Sequence, residues 1–351
     1  MQAVLASLIQ QYLPACKHKY ASQLLPGHLQ AMAAMQRCRT PDSGQMHLAC
    51  DDCDHHYKQP HSCGHRSCPQ CQHHDTTRWL ERQRKKLLPV EYFMVTFTLP
   101  YELRTYAWKN QTAVYNALFA CASGTLRDFG LNDKHLRGEL GMTAVLHTHN
   151  RRLEYHPHLH IIVPGGGIDL ARRQWKKAKD KYLFNAFALA SVFRGRMMAA
   201  LSENSAPVPD NLPKKWVVDC RRVGKGEPAL KYLSRYLYRG VISEKNIIAN
   251  RQGIVRFCYV DSRSGKAQYR NLKGEDFLWL VLKHILPKGF RRVRDYGFLH
   301  GNAKHRLALL QLILQVSVKT QKPLTRPSFK CPKCQAPMHI IGYIKPAWKF
   351  G

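Results

Sequence analysis

The 351-residue chain carries 55 lysines and arginines against 23 aspartates and glutamates, a formal charge of +32. A surplus of that size, spread along the whole length rather than gathered in a tail, calls for a polyanion. Nucleic acid is the first choice, and an anionic membrane surface or a ribosome are the other partners that charge alone allows. No apolar run reaches the roughly 20 residues of a membrane span, and no secretory leader opens the chain.

The length suits one main domain with one or two small appendages. In chain order, Val4, Leu5, Leu8, Ile9, Tyr12 and Leu13 recur at helical spacing, so residues 1–40 read as short helices. Residues 43–75 are dense in cysteine and histidine and poor in apolar side chains, the mark of a metal-held module. A basic helix follows from about Thr76 to Leu88. Phe93–Thr98 is the first strong strand, closed by Pro100, and a long helical stretch covers roughly Tyr101 to Phe129. Two strands, Thr143–His149 and His158–Val163, are joined by a polar connection that suggests a hairpin. Gly165-Gly166-Gly167 reads as a flexible turn beside them, and residues 169–202 as one or two basic helices. Trp216-Val217-Val218 is a further strand, Glu227 to Tyr238 a helix, 253–260 and 267–272 strands, and 275–285 and 302–315 helices. This order predicts an α+β fold, an antiparallel sheet sandwiched by helices, with the metal-held module at its N-terminal side. The expected divisions are 1–88 (helical and zinc-binding), 89–320 (catalytic) and 321–351 (a tail with its own cysteine pair).

Twelve cysteines in a chain that reads as cytoplasmic and nucleoid-associated argue for metal rather than disulfides. Cys50-Asp51-Asp52-Cys53 and Cys68-Pro69-Gln70-Cys71 are two C-x2-C knuckles fourteen residues apart, the spacing of a tetrahedral structural Zn2+ site. Cys63 and His65 are possible substitutes in that ligand set; most of the neighbouring His55, His56, His61, His73 and His74 read as surface or phosphate contacts. A catalytic deaminase zinc would need a glutamate beside its ligands, and none occurs between residues 43 and 80. Cys331-Pro332-Lys333-Cys334 is half a site that needs partners such as His339, His305 or another cysteine. Cys16, Cys38, Cys121, Cys220 and Cys258 read as fillers of apolar gaps.

The chemistry concentrates in Tyr155-His156-Pro157-His158-Leu159-His160 and in Tyr232-Leu233-Ser234-Arg235-Tyr236. On a strand His158 and His160 project together, and His147 or His149 of the neighbouring strand can offer a third ligand. On a helix Tyr232 and Tyr236 share a face, while Arg235 and Arg239 lie near enough to hold phosphate. A divalent ion on imidazoles, Mg2+ or Mn2+, neutralises a phosphodiester oxygen. Tyrosine attack then stores the strand as a 5′-phosphotyrosine and frees a 3′-hydroxyl. A second tyrosine takes a second strand without releasing the first. The bland alternatives are an ordinary tyrosine packing pair and core histidines. Stacking of single-stranded bases on Trp79, Trp108 or Trp175 is a further expectation.

These residues resemble the rolling-circle insertion-sequence transposases of the HUH superfamily, in the two-tyrosine branch with an N-terminal zinc-binding domain. The resemblance runs from about residue 16 to 345. It rests on the cysteine module through Arg66–Gln72, on Thr96–Arg104, Val145–Thr148, His156–Gly167, Tyr232–Tyr236 and His284–Phe290. It implies an HUH-type sheet, His158 and His160 as ligands of the catalytic metal with His147 preferred to His149 as the third, and Tyr232 and Tyr236 as nucleophiles. It also implies single-stranded DNA, at the element's ends and its target, as substrate. A replication initiator or relaxase uses the same residues, but the zinc module and the lack of a G-x-x-x-x-G-K-[ST] motif favour the transposase. The non-enzyme alternative is a zinc-held DNA-binding protein.

Overall fold

A computed structural model describes residues 4–179, 182–204, 206–228, 230–231, 241–261, 264–316 and 328–346, with the side chains of residues 4 and 72–76 left undescribed. The chain opens with α1 (Val4–Lys19) and α2 (Pro26–Arg37), followed by the hairpin β1 (Gln45–Cys50) and β2 (His56–Pro60) and by α3 (Gln72–Arg84). β3 (Glu91–Thr98) leads into α4 (Arg104–Lys109) and α5 (Gln111–Asn132). β4 (Met142–His149), β5 (Tyr155–Pro164), β6 (Gly166–Asp169) and β7 (Gln174–Lys177) precede α6 (Ala186–Ser202) and β8 (Val217–Lys225). Then come β9 (Ile247–Arg251), β10 (Ile254–Val260), β11 (Ala267–Lys273), α7 (Gly274–Leu282), β12 (Val293–Tyr296), α8 (Lys304–Ile313), β13 (Phe329–Lys330) and β14 (Pro337–Ile344).

The centre is a five-stranded antiparallel sheet in the order β12-β4-β5-β3-β8. Its three central strands, β4, β5 and β3, are buried along most of their length on both faces, as expected of a sheet covered on both sides. Ile161 and Val163 join Phe93, Val95 and Phe97 in the core built with α5 and α6, whereas Ile162 points the other way, to Val145, Tyr92 and Trp79 of α3. This is the α+β sandwich expected. Trp79, 4% exposed, is a core residue and not a stacking platform; Trp108 and Trp175 pack edge-on against Trp279 and Phe298 respectively.

A second core joins α1 and α2 to α7 and to the sheet β11-β10-β9, through Leu8, Ile9 and Met32 against Phe257, Phe277 and Leu278. The N-terminal helices are thereby packed on a later part of the chain. The same holds for the tail: β14 pairs antiparallel with β1, giving a four-stranded sheet β13-β14-β1-β2. Residues 329–344 therefore complete the N-terminal module rather than forming a separate unit.

Residues 166–177 depart from the expected glycine turn followed by helix from residue 169. They form the β6–β7 hairpin, with Gly166 opposite Lys177 and Asp169 opposite Gln174. Gly166 is required there because a Cβ would lie 2.4 Å from the Trp175 ring and 2.5 Å from the Lys176 carbonyl. Nor is the glycine run a loose turn beside the histidines. It follows Pro164, which pairs with Tyr92, while His158 pairs with Thr98 at the opposite end of β3.

Candidate metal centre and zinc clusters

Strand alternation and register bring three imidazoles together. His147 of β4 lies directly across from His158 of β5, and His160 is the next residue on that face. Ring centroids are 5.2 Å apart for His147–His158, 4.5 Å for His147–His160 and 4.9 Å for His158–His160. Their ligand nitrogens all lie within 4.8 Å of one another, and the residues are 5%, 9% and 7% exposed. Among the described residues no carboxylate joins the group.

His149 does not enter it. A register shift between His147 and His149 sets His149 across from Tyr155, whose side chain belongs to the other face, where its hydroxyl meets that of Tyr115 at 2.5 Å. There His149 packs against His284, 4.8 Å away. His284 in turn donates from Nε2 to the Leu153 carbonyl at 2.9 Å.

The ring orientations suit metal binding. The His158 Nδ1 lies 2.7 Å from the His156 carbonyl, which can only accept, so Nδ1 carries the proton and Nε2 keeps its lone pair. His160 Nδ1 is 2.9 Å from the hydroxyl of Thr96, its cross-strand neighbour on β3. Outer hydrogen bonds of this kind orient metal-ligating histidines. Burial drives all three imidazoles towards the neutral form that a metal needs. His160 is pushed down to about 3 by burial and then by His158 and Arg221. His158 is lowered by burial and also by Arg104, and His147 by burial, His160, His158 and His149, with Arg292 adding to it. Arg104, Arg221 and Arg292 supply positive charge there, a feature their sequence positions did not single out, and Arg221 is itself paired with Asp219 at 2.8 Å. Arg104 also lies 2.5 Å from His156 Nδ1.

Tyr232 and Tyr236, with Arg235 and Arg239, lie outside the described residues. The helical turn leading to them is described: the Leu230 amide donates to the Gly226 carbonyl at 3.0 Å. Leu230 shares a core with Val145 and Ile162, which flank His160 on its own face of the sheet. Glu227 in the same turn pairs with Arg84 at 2.9 Å and Lys231 at 3.2 Å.

The two knuckles expected to share one zinc are separated. Cys68 and Cys71 meet Cys38 and Cys63, with sulfurs 3.3 Å apart for Cys38–Cys71, 3.5 Å for Cys63–Cys71 and 3.6 Å for Cys38–Cys68. Cys50 and Cys53 meet Cys331 and Cys334, at 3.4 Å for Cys50–Cys334 and 3.6 Å for Cys53–Cys331. The physical reason is that β1 and β2 carry the first knuckle towards β14, while Cys38, at the end of α2, sits beside Cys68. Four thiolates at a Zn–S distance of about 2.3 Å have sulfurs about 3.8 Å apart, so both sets fit tetrahedral Zn2+. Cys38 is therefore no gap filler. Cys63 joins the first set, whereas His65 stays outside it, its Nδ1 accepting from the Ser67 amide at 3.2 Å. His339 faces Asp51 at 3.2 Å instead of supplying a ligand. The first set is bolted to the body by Arg66, whose guanidinium donates to the carbonyls of Leu286 (2.8 Å), Pro287 (2.6 Å) and Phe290 (2.7 Å). No helix among the described residues is long and apolar enough to cross a membrane.

Comparison with known proteins places these features. A family described as "Transposase zinc-binding domain" matches residues 8–99, and one described as "Putative transposase" matches residues 141–306. The chain is 34% identical to "Putative transposase y4qJ" of Sinorhizobium fredii (strain NBRC 101917 / NGR234), covering 94% of this chain and 92% of that one. It is 28% identical to "Transposase for insertion sequence element IS801" of Pseudomonas savastanoi pv. phaseolicola, covering 77% and 70%. Among solved structures, a bacterial tRNA(His) guanylyltransferase-like protein in complex with GTP covers 61% of the chain at 10% identity and a TM-score of 0.26, a likeness from which nothing follows.

Proposed function

The chain belongs to the IS91 family of rolling-circle transposases, DNA strand-cleaving and strand-transferring proteins, and on that premise we propose that it cuts and rejoins single-stranded DNA at its element's ends through phosphotyrosine. The observation that carries the reading is the trio His147, His158 and His160 on the same sheet face as Leu230, two residues before Tyr232. His147, His158 and His160 would hold a divalent ion, Mg2+ or Mn2+, which when bound supplies neutralising charge to a non-bridging phosphate oxygen.

The chain's own residues do the rest. Thr96 and the His156 carbonyl fix the rings of His160 and His158. Arg104, beside His156, draws the backbone phosphate towards the site, with Arg235 and Arg239 as further phosphate holders. The hydroxyl of Tyr232 or Tyr236 attacks phosphorus as its proton passes to solvent. The P–O3′ bond breaks, the leaving oxygen takes up a proton as the 3′-hydroxyl, and the 5′-phosphate stays on the phenol. The second tyrosine takes the second strand, and attack by a 3′-hydroxyl reverses the step and joins new ends. Zinc in the cysteine clusters plays no part in the chemistry, since four thiolates leave no open position.

The test is a denaturing gel with labelled single-stranded DNA carrying the element's end, with Mg2+ or Mn2+. Wild type is expected to give a metal-dependent covalent band, weakened by Tyr232→Phe or Tyr236→Phe and abolished by the double change and by His158→Ala. DNA binding without any covalent band, whatever the end or metal, would leave only a zinc-stabilised DNA-binding protein.

A further inference from the structure

Cys331 and Cys334 lie outside both stretches matched by the family comparisons. We infer that Cys50, Cys53, Cys331 and Cys334 form a second zinc site, which clasps the C-terminal hairpin to the N-terminal module across 278 positions of chain from Cys53 to Cys331. This inference is independent of the phosphotyrosine reading.

Three observations carry it. The first is the convergence itself. All four sulfurs are within 4.8 Å of one another, and the cross-knuckle contacts of 3.4 Å and 3.6 Å fit the edges of a tetrahedron, with each knuckle contributing one edge. The second is that the knuckles are built alike. The Cys50 amide donates to the His55 carbonyl at 3.1 Å and the Cys331 amide to the Ala336 carbonyl at 2.8 Å, each acceptor five residues on, so both C-x2-C turns are closed in the same way.

The third is what would hold the sheet otherwise. Its buried core is Leu48, Cys50, Cys331 and Met338, two of them ligands. β13 has two residues, and β14 leaves Ile340, Ile341, Tyr343 and Ile344 at 41%, 53%, 67% and 43% exposure. A core that small does not order a sheet by burial, whereas the free energy of thiolate coordination does. Binding releases the thiol protons to solvent and gains most where, as here, the loop closed is long. Without the metal β14 would leave β1, and β1 would become an open edge.

Cobalt substitution of the full chain reads the two clusters without interference from the imidazole trio, because thiolate-to-cobalt charge-transfer absorption requires sulfur ligands. Wild type, titrated against a competing chelator, is expected to take up two such equivalents. Cys53→Ser and Cys334→Ser are each expected to lose one, and the double variant still only one, because both belong to one site. Cys38→Ser with Cys334→Ser loses both. Cys334→His, which keeps a ligand, is expected to keep the second equivalent and guards against simple misfolding. Trypsin is expected to cut after Lys330 or Lys333 in zinc-loaded Cys334→Ser while sparing zinc-loaded wild type. A single equivalent in wild type, two in Cys334→Ser, none in the Cys53/Cys334 double variant, or equal cleavage of both proteins would overturn the clasp.

Discussion

Thr96→Val tests the proposed metal centre through a residue that never touches the ion. Valine is nearly isosteric with threonine and keeps its β-branched shape, so β3 and its pairing to β5 and β8 stay intact. What is lost is the hydroxyl 2.9 Å from His160 Nδ1. If Nε2 of His160 faces the ion, Nδ1 carries the proton and donates to Thr96, fixing the ring and raising its basicity. Partners of this kind are worth about 10- to 100-fold in metal affinity, or about 1.4–2.7 kcal/mol at about 1.36 kcal/mol per decade. That range lies within the about 1–3 kcal/mol cost of leaving a buried donor unsatisfied. His160 is only 7% exposed, so water cannot easily replace the hydroxyl. The assay is covalent-band yield against Mn2+ concentration, run beside a chelator competition. The expected curve shifts about 10- to 100-fold to higher metal and recovers at saturation, with the thermal midpoint of the metal-free protein nearly unchanged. A curve superimposable on wild type would refute the orientation argument, and a flat loss at all metal concentrations would point to a role in chemistry instead.

The other expectations are more direct. Arg66→Ala removes three charge-assisted donations to the 286–290 carbonyls and is expected to cost about 2–4 kcal/mol in denaturant titration, while leaving the first zinc in place; metal loss together with destabilisation would show that the bolt and the cluster are one unit. His28 is sandwiched by Trp108 and Trp279, and burial lowers it from 6.5 to about 4. The unfolded chain therefore takes up a proton at higher pH than the folded one. His28 alone is expected to contribute about 3 kcal/mol to the loss of stability between pH 6.5 and 4, on top of the other buried histidines, so His28→Gln should make that slope shallower by this amount; an unchanged slope would acquit this residue. Gly166→Ala is expected to destabilise by about 2 kcal/mol or more through its clash with Trp175 and Lys176, read as a lowered thermal midpoint. DNA affinity should fall steeply between 50 and 300 mM salt, a range chosen about the physiological value; a flat response would count against phosphate-driven binding.

Much of the architecture was legible because it rests on local pattern. His158-Leu159-His160 running into Ile161–Val163 announces a strand with two imidazoles on one face, and Val4 through Leu13 announce a helix. Legibility ended where distant parts of the chain decide the outcome. Cys38 stands 25 residues before Cys63 with no knuckle of its own, so nothing local separates it from a buried Cys16 or Cys121. The fourteen-residue gap between two knuckles looked like one site because sequence spacing carries no information on which strand each knuckle extends. Basic residues 172–177 fit a helix as well as a hairpin; the decision lies in the Trp175 ring lying over Gly166, a tertiary contact. The choice between His147 and His149 hangs on one shift of register between β4 and β5. A regular strand would put both on the metal face, and the register shift sends His149 to the opposite one.

The donor sets explain why a single chain carries both thiolates and imidazoles. Four thiolates close their ion off and leave nothing for a substrate, which suits clusters that fasten the end of α2 to the second knuckle and β14 to β1. Three neutral imidazoles without a carboxylate leave open positions and add no negative charge of their own. With a divalent ion held there, a phosphodiester approaching His147, His158 and His160 would meet a cation uncompensated by carboxylate ligands, beside an Arg221 that is itself paired with Asp219 at 2.8 Å. A cysteine or carboxylate ligand in place of any one of the three would lower the charge presented to the phosphate. His160→Asp, which still offers an oxygen ligand, is accordingly expected to retain metal in chelator competition yet lose most of the covalent band. Full activity in that variant would mean that the charge of the donor set is not what the site is built to supply.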